Sequence, residues 1–161
     1  MKASPRIVAA LLCGLSVAGC GGWFCWNGGR SGPSASDTCV EHLKIVGAAL
    51  LSYAVDWDDR YPLGPGWMDV LIPYVQPRLY ALQRPVLENA SPTEYGFAFH
   101  PQIAGLPWQS VPNPGTTITL FESTDTDRNV VGTENLLPSV PRHNGLNTIA
   151  YADTRVKAVR P

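Results

Sequence analysis

The chain has 161 residues, 45% of them hydrophobic, which is enough for one domain with a real core and too few for two of ordinary size. A formal net charge of -1, with only 16% of residues charged, leaves no basic field to hold phosphates, so no nucleic-acid partner is expected. Fifteen Pro and 15 Gly imply many turns and few long regular elements.

Lys2 and Arg6 form a positive start, and Ile7 to Val17 is an apolar run broken only by small residues, the pattern of a signal peptide over 1–19. A spanning helix needs about 20 apolar residues to cross roughly 30 Å of hydrocarbon. Gly19-Cys20-Gly21-Gly22 closes this run first. Val17-Ala18-Gly19-Cys20 is similar to a lipobox, so cleavage before Cys20 and acylation of its thiol, with chains such as palmitate, are expected. Several acyl chains exceed the two signals that stable anchoring requires. The membrane-lipid partner is therefore reached through Cys20, at a bacterial cell membrane or outer membrane, with the domain outside the cytoplasm.

Residues 20–36 read as the lipidated cysteine and a glycine-rich tether, with an end-to-end distance of about 20–25 Å. Trp23, Phe24 and Trp26 lie beside the lipid, where aromatic rings favour the interface, or else pack on the domain. Of the four cysteines, Cys13 is in the signal and Cys20 at the processing site. Two alternatives remain for the others. Cys25 and Cys39 close a disulfide loop, worth roughly 3 kcal/mol for about 15 residues, or Cys39 is buried and reduced.

The globular part is expected over 37–161. Thr38 followed by Glu41 has the form of a capping box, and Asp37 adds negative charge at a helix start. Val40, Leu43, Val46, Gly47, Leu50, Ala54 and Trp57 then make one apolar stripe on a helix of about 20 residues that stops before Pro62. His42, Lys44, Ser52 and Asp56 fall on its solvated face. Prolines from 62 to 92 predict a loop-rich middle, with a short helix at Trp67 to Val75 after Pro65-Gly66. Period-two patterns at Tyr95–Phe99, Thr117–Glu122, Asn147–Ala152 and Arg155–Val159 predict strands, the last two joined through Asp153-Thr154. The fold class is α+β: one N-terminal amphipathic helix packed on a small antiparallel sheet.

Cys39 to Leu50, then Tyr53-Ala54 with Asp56, Asp58, Tyr61 and Pro62, are followed in order by Trp67, Leu71, Pro73-Tyr74-Val75, Tyr95-Gly96 and Thr119-Leu120-Phe121. His143 and Asp153, separated by nine residues, complete the set. This series resembles the pseudopilin-like proteins related to the type II secretion major pseudopilin, with their terminal motif of His, nine residues and Asp-Gly. The resemblance implies a pilin-like head. Three departures stand beside it. A lipoprotein signal replaces the fibre-forming helix, Arg84-Pro85 stands where the family often has Cys-Pro, and Asp153-Thr154 replaces Asp-Gly. Thr disfavours the positive φ of a two-residue turn, so a longer or different turn is expected there.

The related major pseudopilins hold calcium in a C-terminal loop, which makes Glu122, Asp125, Asp127 and Asn129 calcium candidates here. An EF-hand is excluded, because Val130 and Leu136 stand at its sixth and twelfth positions. The other reading is a solvated acidic turn. No other cofactor is expected. His143 and Asp153 are read as structural, each bonding backbone at one end of a strand; His42 and His100 are read as plain surface residues. No Gly-x-Ser-x-Gly elbow and no phosphate-cradling loop occurs, and no catalytic residue is assigned. The expected function is a non-enzymatic, lipid-anchored pseudopilin-like module that binds a protein partner in the envelope or serves a secretion or pilus-like apparatus. Two alternatives are a metal-dependent or hydrolytic enzyme using His143 and Asp153, and an envelope structural protein with no specific partner.

Overall fold

A computed structural model describes residues 34–85 and 94–160, all within the compact unit Ser31–Pro161. The expected signal peptide, Cys20 and Cys25 lie outside the described residues, as does the tether up to residue 33.

Helix α1 (Ala35–Asp56) begins a turn earlier than Thr38, inside the stretch expected to be tether. Ser34 is its N-cap: the Asp37 N–H donates to Ser34 Oγ (3.2 Å), and the Ser34 N–H donates to Asp37 Oδ2 (3.1 Å). This reciprocal box uses the same chemistry as Thr-x-x-Glu one turn upstream. The Thr38 hydroxyl donates instead to Ser34 O at 3.1 Å, four residues back, as a hydroxyl inside a helix does.

The buried face of α1 is Cys39, His42, Leu43, Val46, Ala49, Leu50 and Ala54. Val40 and Gly47 are only half-buried and Trp57 is 60% exposed, so the stripe is rotated from the expected one. The rotation follows from α1 having neighbours on two sides, the sheet on one and α2 (Trp67–Val75) with the 3₁₀ turn Leu79–Leu82 on the other. α2 follows Gly66, whose φ of +77° is a left-handed conformation that a side chain would strain. By length and composition α1 would also suit a membrane span, yet Leu43, Val46 and Leu50 are packed in the protein's own core.

Four strands, β1 (Phe97–Phe99), β2 (Ile118–Glu122), β3 (Asn147–Tyr151) and β4 (Val156–Val159), form one antiparallel sheet in the order β1-β2-β3-β4. The fold is α+β. A register step between Ile118 and Leu120 turns Leu120 toward the core of Phe97, Phe99, Ala150 and the helices, while Phe121 packs with Ala98, Val130 and Ile149 on the opposite face. The outer edge of β1 is covered: the Phe99 N–H donates to Val130 O (3.0 Å) and the Gly132 N–H to Phe99 O (3.1 Å).

The β3–β4 loop is Ala152-Asp153-Thr154, longer than two residues, with the Thr154 N–H donating to Tyr151 O and the Tyr151 N–H to Arg155 O, both at 2.9 Å. The positive φ still falls on Thr154, at +69°. This is a type I turn followed by a left-handed residue, the geometry that three-residue hairpins favour.

Candidate functional site

Glu122 is the last residue of β2 and has the same parity as Leu120, so its side chain enters the layer beneath α1. It is fully buried. Its carboxylate takes two short hydrogen bonds: Oε1 lies 2.7 Å from His143 Nε2, and Oε2 accepts the Thr148 N–H of β3 at 2.7 Å. Cys39, on the buried face of α1, brings its Sγ into the same space, so that one ligand-type atom from each of Cys39, Glu122 and His143 lies within 4.8 Å of the others. Burial pushes the Cys39 thiol pKa up and the Glu122 charge adds to that, against a smaller opposite pull from Arg142 and Arg84.

Two guanidinium groups border the cluster. Arg142 donates to Ser123 O (2.9 Å), and Arg84 pairs with Glu94 at 2.6 Å. Burial, and then the charge of Arg84, push the Arg142 pKa below its ordinary value. The crossing of these side chains requires Gly96: its φ is +68°, and a Cβ there would lie 3.2 Å from Arg84 Cδ and 3.6 Å from Arg142 Nη1. Arg84 Nε, Arg142 Nη1 and Asn147 Oδ1 are buried without a hydrogen-bond partner among the described residues.

By atom type the Cys39, Glu122 and His143 set includes donors for a transition metal. The Glu122–His143 distance of 2.7 Å is that of a hydrogen bond, and the neighbouring arginines oppose a further cation. The arrangement is a buried charge network in which one carboxylate satisfies a histidine, a backbone amide and the surroundings of a thiol.

His143 therefore reaches a carboxylate rather than backbone, whereas Asp153 Oδ1 does accept the backbone N–H of Arg155 (3.2 Å). Burial works against the ionised form of Asp153, but its hydrogen bonds with Arg155 outweigh that and hold its pKa low. The two motif residues are not brought together: they flank opposite ends of β3, a strand of five residues spanning about 16 Å. The calcium candidates separate too. Glu122 points into the core, Asp125 Oδ1 accepts the Asp127 N–H within its own turn (3.0 Å), and Asn129 Oδ1 accepts the Met68 N–H (2.8 Å) at the start of α2. Asn129 thus ties the loop to α2.

His42 and His100 are corrected from surface to buried, each 6% exposed. His42 Nδ1 is 2.8 Å from Gln83 O, and His100 Nδ1 accepts the Gln102 N–H (3.2 Å) while its Nε2 faces Glu134 (3.4 Å). Among the described residues Cys39 has no disulfide partner, and the suggested Cys25 lies outside them. Sequence reasoning missed Arg142, Arg84 and Thr148 as parts of the cluster. The available signal was the inward parity of Glu122, since a carboxylate on a core-facing position needs partners. In comparisons with protein-family models, with curated proteins and with solved structures, the chain matches none.

Proposed function

We propose that this chain is a lipoprotein anchored through acylated Cys20, whose pilin-like head is a non-catalytic binding module serving a secretion or pilus-like apparatus at the cell envelope. The observation that carries the non-catalytic reading is the closure of the one cluster with suitable chemistry among the described residues: Cys39, Glu122 and His143 are 0%, 0% and 5% exposed. A nucleophile, acid or base must touch its substrate. These groups touch one another. The signal pattern and the lipobox-like Val17-Ala18-Gly19-Cys20 support the anchor.

Metabolic labelling with an alkyne analogue of palmitate tests the anchor, with the label expected on the N-terminal peptide beginning at Cys20 and lost, together with membrane association, in Cys20→Ala. A mature N-terminus upstream of residue 20 would sink it. In-cell crosslinking tests the module, and reproducible recovery of secretion or pilus-like components is the expected result; their absence at native abundance counts against the assignment.

A further inference from the structure

Among the described residues the sheet has one covered edge and one bare one. Segment 130–132 pairs with β1, but among the described residues nothing pairs with the outer edge of β4. The Tyr151 N–H donates to Arg155 O, so antiparallel alternation turns the amides and carbonyls of Arg155, Lys157 and Val159 toward β3 and those of Val156 and Ala158 outward. Above that edge α1 presents Lys44, Ala48 and Leu51 at four- and three-residue steps. With Val156 they line a groove of about 670 Å³ between helix and strand. The groove has a helical roof, an apolar wall and unpaired backbone along one side.

Its charge has one sign. The chain as a whole carries -1, yet Lys44 and Lys157 line this groove, are exposed, and pair with no carboxylate among the described residues. Arg155 is already neutralised by Asp153. A second copy of the chain laid edge to edge would bring these cations against their own equivalents.

We propose that the β4 edge accepts an acidic, extended segment of a partner protein as a fifth strand. Its backbone bonds Val156 and Ala158. Alternate side chains are apolar and enter beneath Ala48 and Leu51, the acidic ones between them lie on the opposite face with Lys157, and one acidic residue at the end of the apolar row reaches Lys44. This inference deepens the binding-module reading and rests on it. Acylation of Cys20 is read independently by mass spectrometry, so an acylated chain that ignores the peptide loses the groove and keeps the anchor.

The test uses the full acylated chain in neutral detergent and a short fluorescent peptide alternating Val with Asp or Glu, its last Val replaced by Glu to face Lys44, followed by anisotropy and by amide hydrogen exchange. Saturable binding that weakens with salt is expected, with slowed exchange at Val156 and Ala158. Lys44→Glu and Lys157→Glu, both on the surface, should each weaken binding about five- to tenfold with an unchanged circular dichroism spectrum. A peptide N-methylated on alternate amides should not bind. Equal affinity for a Lys-for-acid peptide or for the N-methylated one overturns the proposal. So does protection of Val156 and Ala158 before any peptide is added, which would mean that the chain's own residues occupy the edge.

Discussion

The imidazole of His143 and the carboxylate of Glu122 meet at 2.7 Å with the carboxylate wholly removed from water. An ionised carboxylate in that position is tolerable only while its hydrogen bonds hold, because desolvation is large and each remaining bond to a charged group is worth about 1.5–3 kcal/mol. Glu122→Ala should therefore cost about 3–5 kcal/mol, by stranding the Thr148 amide and the neighbouring arginine. His143→Ala should cost about 2–3 kcal/mol. Urea unfolding followed by the buried Trp67 would measure both, and the double variant should show a coupling of about 1 kcal/mol or more. If the whole ladder is too unstable, Glu122→Gln with His143→Gln gives the same cycle at lower cost. Additive effects would show that the two groups do not act on each other.

Cys39 shares that pocket and yields a separate expectation. A thiol with no exposed surface, held protonated by burial and by the Glu122 charge, has neither the access nor the thiolate that alkylation requires. Iodoacetamide should label Cys39 in the native chain on the order of a thousandfold more slowly than in urea, at a rate following global unfolding. Peptide mapping separates it from the other cysteines. Rapid labelling under native conditions would place Cys39 outside the core or show that the helix opens locally.

How much of this was legible beforehand depends on the kind of signal. The short helix after Pro65-Gly66 and the four strands could be read because proline, glycine and period-two alternation act locally. The start of α1 was misplaced because Ser34-x-x-Asp37 and Thr38-x-x-Glu41 carry equal chemistry, and local sequence offers no way to rank them. His42 was misassigned for a different reason. Its burial depends on the Leu79–Leu82 turn and on Gln83 O, which arrive 41 residues later to cover one side of the helix. The cluster at Glu122 likewise draws on α1, β2, β3 and the segment before β3, so no motif in one stretch of chain could announce it.

Thr154 offers a test of local strain. A β-branched residue with φ at +69° costs roughly 1–2 kcal/mol relative to its preferred conformations, whereas glycine adopts that angle freely. Glycine also has more unfolded-state entropy to lose, which cancels part of the gain. Thr154→Gly should raise stability by about 0.5–1 kcal/mol, visible as a higher urea midpoint with an unchanged slope. A lower midpoint would mean that the Thr154 side chain makes a compensating contact in the folded hairpin.

The pH dependence should carry a signature of His42. Burial lowers its pKa below the ordinary 6.5, only partly offset by the bond of Nδ1 to Gln83 O, so the folded chain holds the ring neutral with Nδ1 donating to that carbonyl. As pH falls through the unfolded value, the unfolded chain takes up a proton before the folded one does. Stability then rises with pH across the interval between the two pKa values, is fully present above 6.5, and is lost as the pH drops through the lowered folded value. His100 and His143 lie beside Glu134 and Glu122 and not Gln83, and are the same in both chains compared, so the His42 contribution is isolated by difference. His42→Gln, which keeps an amide donor near Gln83 O, should be less stable than the natural chain at pH 8, with the gap narrowing toward pH 5. A gap that widens on acidification would require a protonated His42 in the folded state and would reverse the assignment of the donor.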